Sequence, residues 1–351
     1  MPRVHRLISV LAVALAALAV SSTAAAATPD AKLLRTYQPV LVFHPAESFR
    51  PTKVQAFIED SELERFTGSV PAQLPLDQFW TPHDDDPGPG TLGNLGPGLF
   101  RLDQQSCSAA AALGGLACYA AASADDGGAA MYGRVVRTGD HTVLQYWLFY
   151  YHNPLVLPLT PVGPFWQSHE GDWESVHVIL DASEQPVQAA YSQHCSGQRR
   201  AWADVEKRPA GSTHPVAYVG LGSHASFFAP GAGPLGAVPI DPTCIPPAVL
   251  AALPSLPFLQ VGDQVVDGTS VGAVAGPPGS DAAAATIHRI EGAPWAEFNG
   301  FWGESEYFFT PITLGPVPGG TAVPVGVAPA TPPLQTGKWN ATSIFTWPVA
   351  P

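Results

Sequence analysis

"TVLQYWLFYYHN", residues 142–153, is the stretch whose reading decides the fold. It holds no Gly or Pro and is built from β-branched and aromatic residues, apolar on both faces of an extended chain. That is the composition of a central strand covered on each side. Outward from it, "MYGRVVR" (131–137), "WESVHVIL" (173–180), "PVQAAYSQH" (186–194) and "HPVAYVGLGSH" (214–224) repeat the pattern, with polar or Pro/Gly punctuation between them. No helix-length periodic segment separates these runs to make parallel crossovers. The spacing therefore predicts a mainly β fold, a β-sandwich of short antiparallel strands with long Pro/Gly-rich loops and a few short helices. The 38 Pro and 34 Gly of the 351 residues disfavour long helices in the same way.

Towards the N-terminus the pattern predicts a strand over 39–43 and a short helix from Thr52, which is suited to the N-cap, with Val54, Phe57 and Ile58 at helical spacing. Residues 1–27 combine Arg3, His5 and Arg6 with an apolar run and a small-residue end, the layout of a secretory signal peptide. The expectation is thus a secreted, extracellular protein without a transmembrane segment, residues 28–351 forming one elaborated domain. Residues 229–278 read as a loop-rich insertion with a short helix over 247–253, and 313–338 as a Pro/Gly-rich connector. Four cysteines in an exported chain favour disulfides, and three pairings exist. Cys107 with Cys118 and Cys195 with Cys244 are the favoured pairs.

The formal charge of −13 argues against a nucleic-acid partner and against simple attraction to anionic lipid, and it is compatible with cation binding. Charged residues are only 13% of the chain, against an ordinary share of about 25%. Carboxylates set in apolar surroundings are accordingly informative, and "SHEGDWESVHVIL" (168–180) gathers several. In an extended strand Glu174, Val176, Val178 and Leu180 share one face, with Asp172 continuing the row outward. His177 faces away with Trp173, and His169 is expected just beyond the strand, on a turn at Gly171.

Two carboxylates at the rim of a buried face need a counter-charge, because desolvating bare charge is expensive. A bound cation supplies one answer. Arg134, Arg137, Arg199 and Arg200 supply another, a structural ion-pair network. Further histidines, His152, His194 and His224, sit at strand ends. If these ends share an edge, His169, Asp172, Glu174, His194 and His224 form a ligand set for a divalent cation, Ca, Mg, Mn or Zn. Glu170 and His194 are the acid/base pair if the site is catalytic. Other signatures fail: Trp173 stands where a His-Glu-x-x-His motif needs its second ligand, and "GLGSHA" is followed by a segment unable to open a dinucleotide-binding helix.

Three functions stay open. The first is a cation site that holds a polar ligand, a glycan or lipid head group; the second is a metal-dependent hydrolase using the same ion. The third is a structural polar cluster in a non-catalytic accessory or toxin-like module.

"YQPVLVFHPAESFRPTKVQAFI" (37–58), "SHEGDWESVHVIL", "YSQHCSGQRRAW" (191–202), "HPVAYVGLGSHASFF" (214–228) and "FNGFWGE" (298–304), in this order, resemble the vacuolar protein sorting-associated protein 62 family. Its members share a His-Glu-Gly-Asp-Trp-Glu core and a later Gly-Ser-His-Ala-Ser. The pattern His-x-x-Asp-Trp-Glu is also similar to the core of the secreted necrosis-inducing protein family. That resemblance implies a central β-sandwich and a divalent cation in a shallow acidic cavity that engages sphingolipid head groups and damages membranes. Residue by residue, it puts His169, Asp172 and Glu174 in the ligand-bearing motif. Gly171 stands where that family has a second histidine, and the upstream acidic ligand falls at Asn153 or His152.

Overall fold

The computed structural model describes residues 28–67, 80–85, 87–104, 107, 116–124, 129–154, 156–159, 163–166, 168–193, 196–234, 262–265, 270–271, 285–304, 307–309, 322–324 and 328–350. The expected signal peptide, His194, Cys195, Cys244 and the expected helix over 247–253 lie outside the described residues.

The chain is mainly β. Its centre is a six-stranded sheet in the order Ser196–Ala201, Pro186–Gln193, His169–Leu180, His141–Asn153, Ala130–Thr138, Thr286–Arg289. The aromatic stretch is its central strand, as its two apolar faces require. Every residue of His169–Leu180 is buried, and every residue of His141–Asn153 except the first.

A four-stranded sheet covers one face, in the order Ser226–Phe227, Val216–Val219, Val40–Phe43, Ser270–Val271. Here Tyr146, Val176, Val178 and Tyr191 meet Leu41, Phe43, Ala217 and Val219 in one core, and the Tyr191 hydroxyl donates to the Val216 carbonyl at 2.9 Å. The other face carries Trp147, Phe149 and Trp173, and Trp295 and Trp302 pack on Trp173 at 5.6 and 5.5 Å. Farther along that face, Val143, Ile179 and Ala190 pack with Ile344 and Trp347 near the C-terminus. Burying each of these large side chains contributes about 1.5–3 kcal/mol. A third sheet orders Gly300–Phe301, Phe100–Gln104, Ser61–Phe66 and Trp80–Pro82.

Among the described residues three strand pairs are parallel, which the absence of crossover helices did not suggest. Val40–Phe43 runs with Val216–Val219, Thr286–Arg289 with Ala130–Gly133, and Gly300–Phe301 with Phe100–Arg101. Each joins segments far apart in sequence, and the long chain between them gives room to return in the same direction. The insertion over 229–278 contributes as well: Ser270–Val271 pairs with Val42–Phe43, and Gly231–Pro234 with Gly262–Val265.

Helices are short. Pro29–Thr36 starts at Thr28, whose side chain accepts from the Ala31 amide at 3.3 Å. Val54–Glu59 buries Val54, Phe57 and Ile58 as the spacing predicts, but Lys53 is its N-cap. Thr52 is tied instead to the central strand, its amide donating to the Phe149 carbonyl at 2.8 Å. The Cys107–Cys118 disulfide is present.

Candidate functional site

The HEGDWE motif lies wholly inside a strand. Asn153 pairs with His169, His152 with Glu170 and Tyr150 with Asp172, so His169 opens the strand rather than preceding it on a turn. Gly171 keeps the ladder while adopting φ +55°. A Cβ there would stand 2.0 Å from the Trp302 carbonyl oxygen, so glycine is required by both conformation and space. The local reversal also breaks the two-residue alternation, and Glu170 and Asp172 engage different parts of the molecule.

Asp172 belongs to a charge-balanced cluster. Its Oδ2 accepts from Asn153 Nδ2 at 3.1 Å and from His224 Nδ1 at 2.9 Å. His224 Nε2 lies 3.6 Å from Glu47 Oε1, and the ring stacks on Tyr150 with centroids 3.9 Å apart. The "GLGSHAS" turn presents the imidazole: His224 has φ +55°, and its amide donates to the Gly220 carbonyl at 3.1 Å. Glu47 is fixed by the amides of Phe49 at 2.8 Å and Gly222 at 2.7 Å. Burial works against a charged His224, but the carboxylates of Glu47 and Asp172 overcome it and hold the imidazole at about 9. Burial likewise works against both carboxylates, and His224 brings each of them below its ordinary value.

Glu174 also finds a cation inside the protein. Lys338 Nζ lies 3.3 Å from its Oε2 and donates to the Trp173 carbonyl at 3.0 Å, and the Ser192 hydroxyl donates to the same carboxylate oxygen. The arginines expected as partners are engaged elsewhere: Arg134 with Glu291 at 3.6 Å, Arg137 with Asp30 at 2.6 Å, and Arg199 with the Trp347 carbonyl at 2.8 Å. Arg200 lies over the Phe228 ring.

Three other imidazoles, those of His169, His152 and His177, are held below their ordinary pKa. His169 is lowered by burial; its Nδ1 donates to the Gly171 carbonyl at 2.7 Å, leaving Nε2 as the acceptor. His152 is lowered to about 3 by burial and by the nearby His169 and His224; its Nε2 lies 3.0 Å from the Ser168 hydroxyl. His177 is lowered to about 3 by burial and by Lys338 and Arg134, and sits away from Asp172 between Trp147 and Trp347.

Glu170 forms the second cluster. Its Oε1 accepts from the Tyr119 hydroxyl at 2.6 Å, and its Oε2 from the amides of Gln104 at 3.0 Å and Glu304 at 3.1 Å. Its own amide donates back to the Glu304 carbonyl at 3.2 Å. Gly303, at φ +126°, allows this approach, because a Cβ there would lie 2.3 Å from the Glu170 Cβ. Asp103, Glu170 and Glu304 each offer a carboxylate oxygen, and the three oxygens lie within 4.8 Å of one another, a group able to hold a metal ion. Burial, and then the charge of Asp103, push the Glu170 carboxyl up to about 7 against its three donors.

The structure thus brings Asp172 and His224 into contact, with His169 and Glu174 as strand neighbours, and places Glu170 in a separate cluster. Sequence reasoning passed over Glu47, Asp103, Tyr119, Glu304 and Lys338. The scarcity of charge was the available signal for Asp103, which follows the apolar Leu102 in "FRLDQ".

No protein-family model matches the chain, and no curated protein matches it in sequence, so the resemblance to the vacuolar protein sorting-associated protein 62 family is unsupported. Solved structures of necrosis-inducing type do match, at low identity and over part of the chain. "Toxin fold for microbial attack and plant defense" matches at 18% identity and TM-score 0.27, over 53% of this chain and 60% of that one. "NLPPya in complex with mannosamine" matches at 17% and 0.28, over 58% and 68%. Necrosis and Ethylene inducing Protein 2 from the causal agent of cocoa's Witches Broom disease matches at 18% and 0.27, over 58% and 68%. The chain spans between 45% and 68% of the length of the solved structures it matches. At these TM-scores the functional reading rests on the residues themselves. Among the described residues no helix is long and apolar enough to cross a membrane.

Proposed function

We propose that this protein is a secreted binding protein that holds a divalent cation through Asp103, Glu170 and Glu304. The ion in turn holds a hydroxyl-rich polar ligand, a glycan or a lipid head group. The observation that carries the reading is the approach of three carboxylate oxygens to within 4.8 Å of one another. Oxygen ligands stand about 2.3–2.6 Å from Ca²⁺, so opposite ligands of one ion are about 5 Å apart, and the cluster has that scale. An all-carboxylate set suits hard cations such as Ca²⁺, Mg²⁺ or Mn²⁺ better than Zn²⁺, which favours nitrogen and sulfur.

Electrostatics support the choice of cluster. Around Asp172 and Glu174 the protein supplies its own positive charge in His224 and Lys338. Glu170 is held by a hydroxyl and two amides, all neutral, and its carboxyl is raised towards neutrality by burial and Asp103. A cation relieves that repulsion. Asp103 and Glu170 are buried and Glu304 is half-buried, so solvent and ligand oxygens reach the ion from the Glu304 side.

Binding is preferred to hydrolysis because both oxygens of Glu170 already accept hydrogen bonds from the protein, which leaves it poorly placed to carry a proton to substrate. The test is elemental analysis of the purified protein with thermal melts before and after chelation, and glycan-array binding under both conditions. The expected result is one bound Ca²⁺, Mg²⁺ or Mn²⁺, a melt that falls on chelation, and glycan signals that vanish with it. An ion-free protein whose melt ignores chelator and all three added cations would sink the reading.

A further inference from the structure

The Glu170 carboxylate is gripped by two elements that are covalently joined to each other. Strand Phe100–Gln104 supplies Asp103 and the Gln104 amide, the latter 3.0 Å from Glu170 Oε2. Helix Leu116–Ala124 supplies the Tyr119 hydroxyl, 2.6 Å from Oε1. The Cys107–Cys118 disulfide links the two arms. One end of the bridge is seated against the strand, the Cys107 amide donating to the Gln104 carbonyl at 3.2 Å. The other end is the residue directly before Tyr119.

Besides Tyr119, the helix meets the core only through small side chains among those described, the half-buried Cys118, Ala120 and Ala122. Its sequence is "LACYAAASA", and among its described side chains, residues 117–123, only Tyr119 is buried. A nine-residue helix with so small a buried face is marginal by itself. Its anchors include the bridge, the hydrogen bond to Glu170, and the Tyr119 ring, which stacks on His152 with centroids 4.1 Å apart and planes within 5° and meets the Tyr151 ring at 6.5 Å.

Resting on the cation site proposed above, we infer that Tyr119 is the positioning residue of Glu170, that the Cys107–Cys118 bridge keeps it in place, and that thiol–disulfide exchange at this bridge therefore sets the ion affinity of the site. A dithiol reductant attacks a bridge sulfur as thiolate, forms a mixed disulfide, and resolves it with its second thiol. Two electrons and two protons pass to the protein, Cys107 and Cys118 become thiols, and the reductant becomes a disulfide. Cys107 is buried and Cys118 half-buried, so Cys118 is the more accessible half. Freed of the bridge, the helix departs with Tyr119, Glu170 Oε1 loses its donor, and the carboxylate is no longer fixed towards Asp103 and Glu304.

Amide hydrogen exchange at Gln104 and Glu304, whose N–H groups donate to Glu170, reads this grip whether or not an ion is bound. Calcium and manganese titrations read its consequence. For Tyr119→Phe, exchange at both amides is expected to rise about tenfold and ion affinity to fall about tenfold, the scale of one lost hydrogen bond to a charged group. Exchange at Val176, in the motif strand, stays as in the wild type. Reduction of the wild type with dithiothreitol gives the same changes, and reoxidation reverses them. Reduction of Tyr119→Phe adds little, because both interventions remove one contact. Unchanged exchange in Tyr119→Phe, or fully additive effects of substitution and reduction, overturns the inference. If the wild type binds neither ion, the cation reading falls, while the two amides still decide whether Tyr119 positions Glu170. If reduction unfolds the chain, the bridge holds the fold and not the site and the redox half of the inference falls, while Tyr119→Phe still decides whether Tyr119 positions Glu170.

Discussion

Glu170 and Asp172 are two residues apart on one strand, both buried, and they live in opposite electrostatic conditions. Asp172 faces an imidazolium and lies below its ordinary pKa, while Glu170 faces another carboxylate and is pushed up to about 7. Burial works in the same direction on both, so the difference lies in the neighbours. The residue between them, Gly171, creates the difference by reversing the backbone and sending the two side chains to different partners. A cluster that contains its own counter-charge is finished as a structural element. Glu170, held by neutral donors beside Asp103, is where the proposed ion would add positive charge.

The most damaging way to break this comparison is to remove the reversal. Gly171→Ala adds a Cβ 2.0 Å from a backbone oxygen at a left-handed φ, whereas Gly139→Ala has a similar φ of +54° and nothing within 4 Å. Chemical denaturation should show Gly171→Ala losing about 3 kcal/mol or more, or failing to fold, and Gly139→Ala losing about 1 kcal/mol. Equal losses would mean that conformation alone, and not the approach of Trp302, fixes this residue.

Removing the internal cation comes next. His224→Leu leaves Glu47 and Asp172 buried without the charge between them and should cost about 3–5 kcal/mol in the same assay. The pH dependence reports the same pair. The folded pKa of His224, about 9, lies above its ordinary 6.5. Its contribution is therefore fully present below pH 6.5 and is lost as pH rises through about 9. Stability against pH should fall across that window in the wild type, and that step should be missing in His224→Leu.

The smallest effect on stability belongs to Glu170→Gln. It removes charge from the repelling cluster and retains an oxygen to accept hydrogen bonds, so the ion-free protein should change by less than about 1 kcal/mol. A loss as large as that of His224→Leu would show that Glu170, too, is a structural charge.

The central layer of this fold was legible because its signal is local. Residues 142–153 advertise a strand buried on both faces, and Val54, Phe57 and Ile58 mark one side of a helix. The pairing of Cys107 with Cys118 was favoured on the same local grounds. Much of the site was not legible, because its partners are distant: Lys338 reaches Glu174 across 164 residues and Gly222 meets Glu47 across 175. Gly171 carried a real signal that was read the wrong way. A glycine amid polar residues ordinarily marks a turn; here it preserves a strand and changes what that strand presents. Strict alternation sorted His177 away from Asp172 correctly, and it failed at Gly171, the one residue of this strand whose φ is positive.

The proposed ion lies on the Glu170 side of Gly171. Calorimetric titration of chelator-treated wild type, Glu170→Gln and Asp172→Asn with Ca²⁺ and Mn²⁺ tests this most directly. One ion should bind the wild type and Asp172→Asn alike, and Glu170→Gln should bind none. Binding that survives Glu170→Gln and disappears in Asp172→Asn would contradict the account and return the ion to the cluster of His169, Asp172 and Glu174.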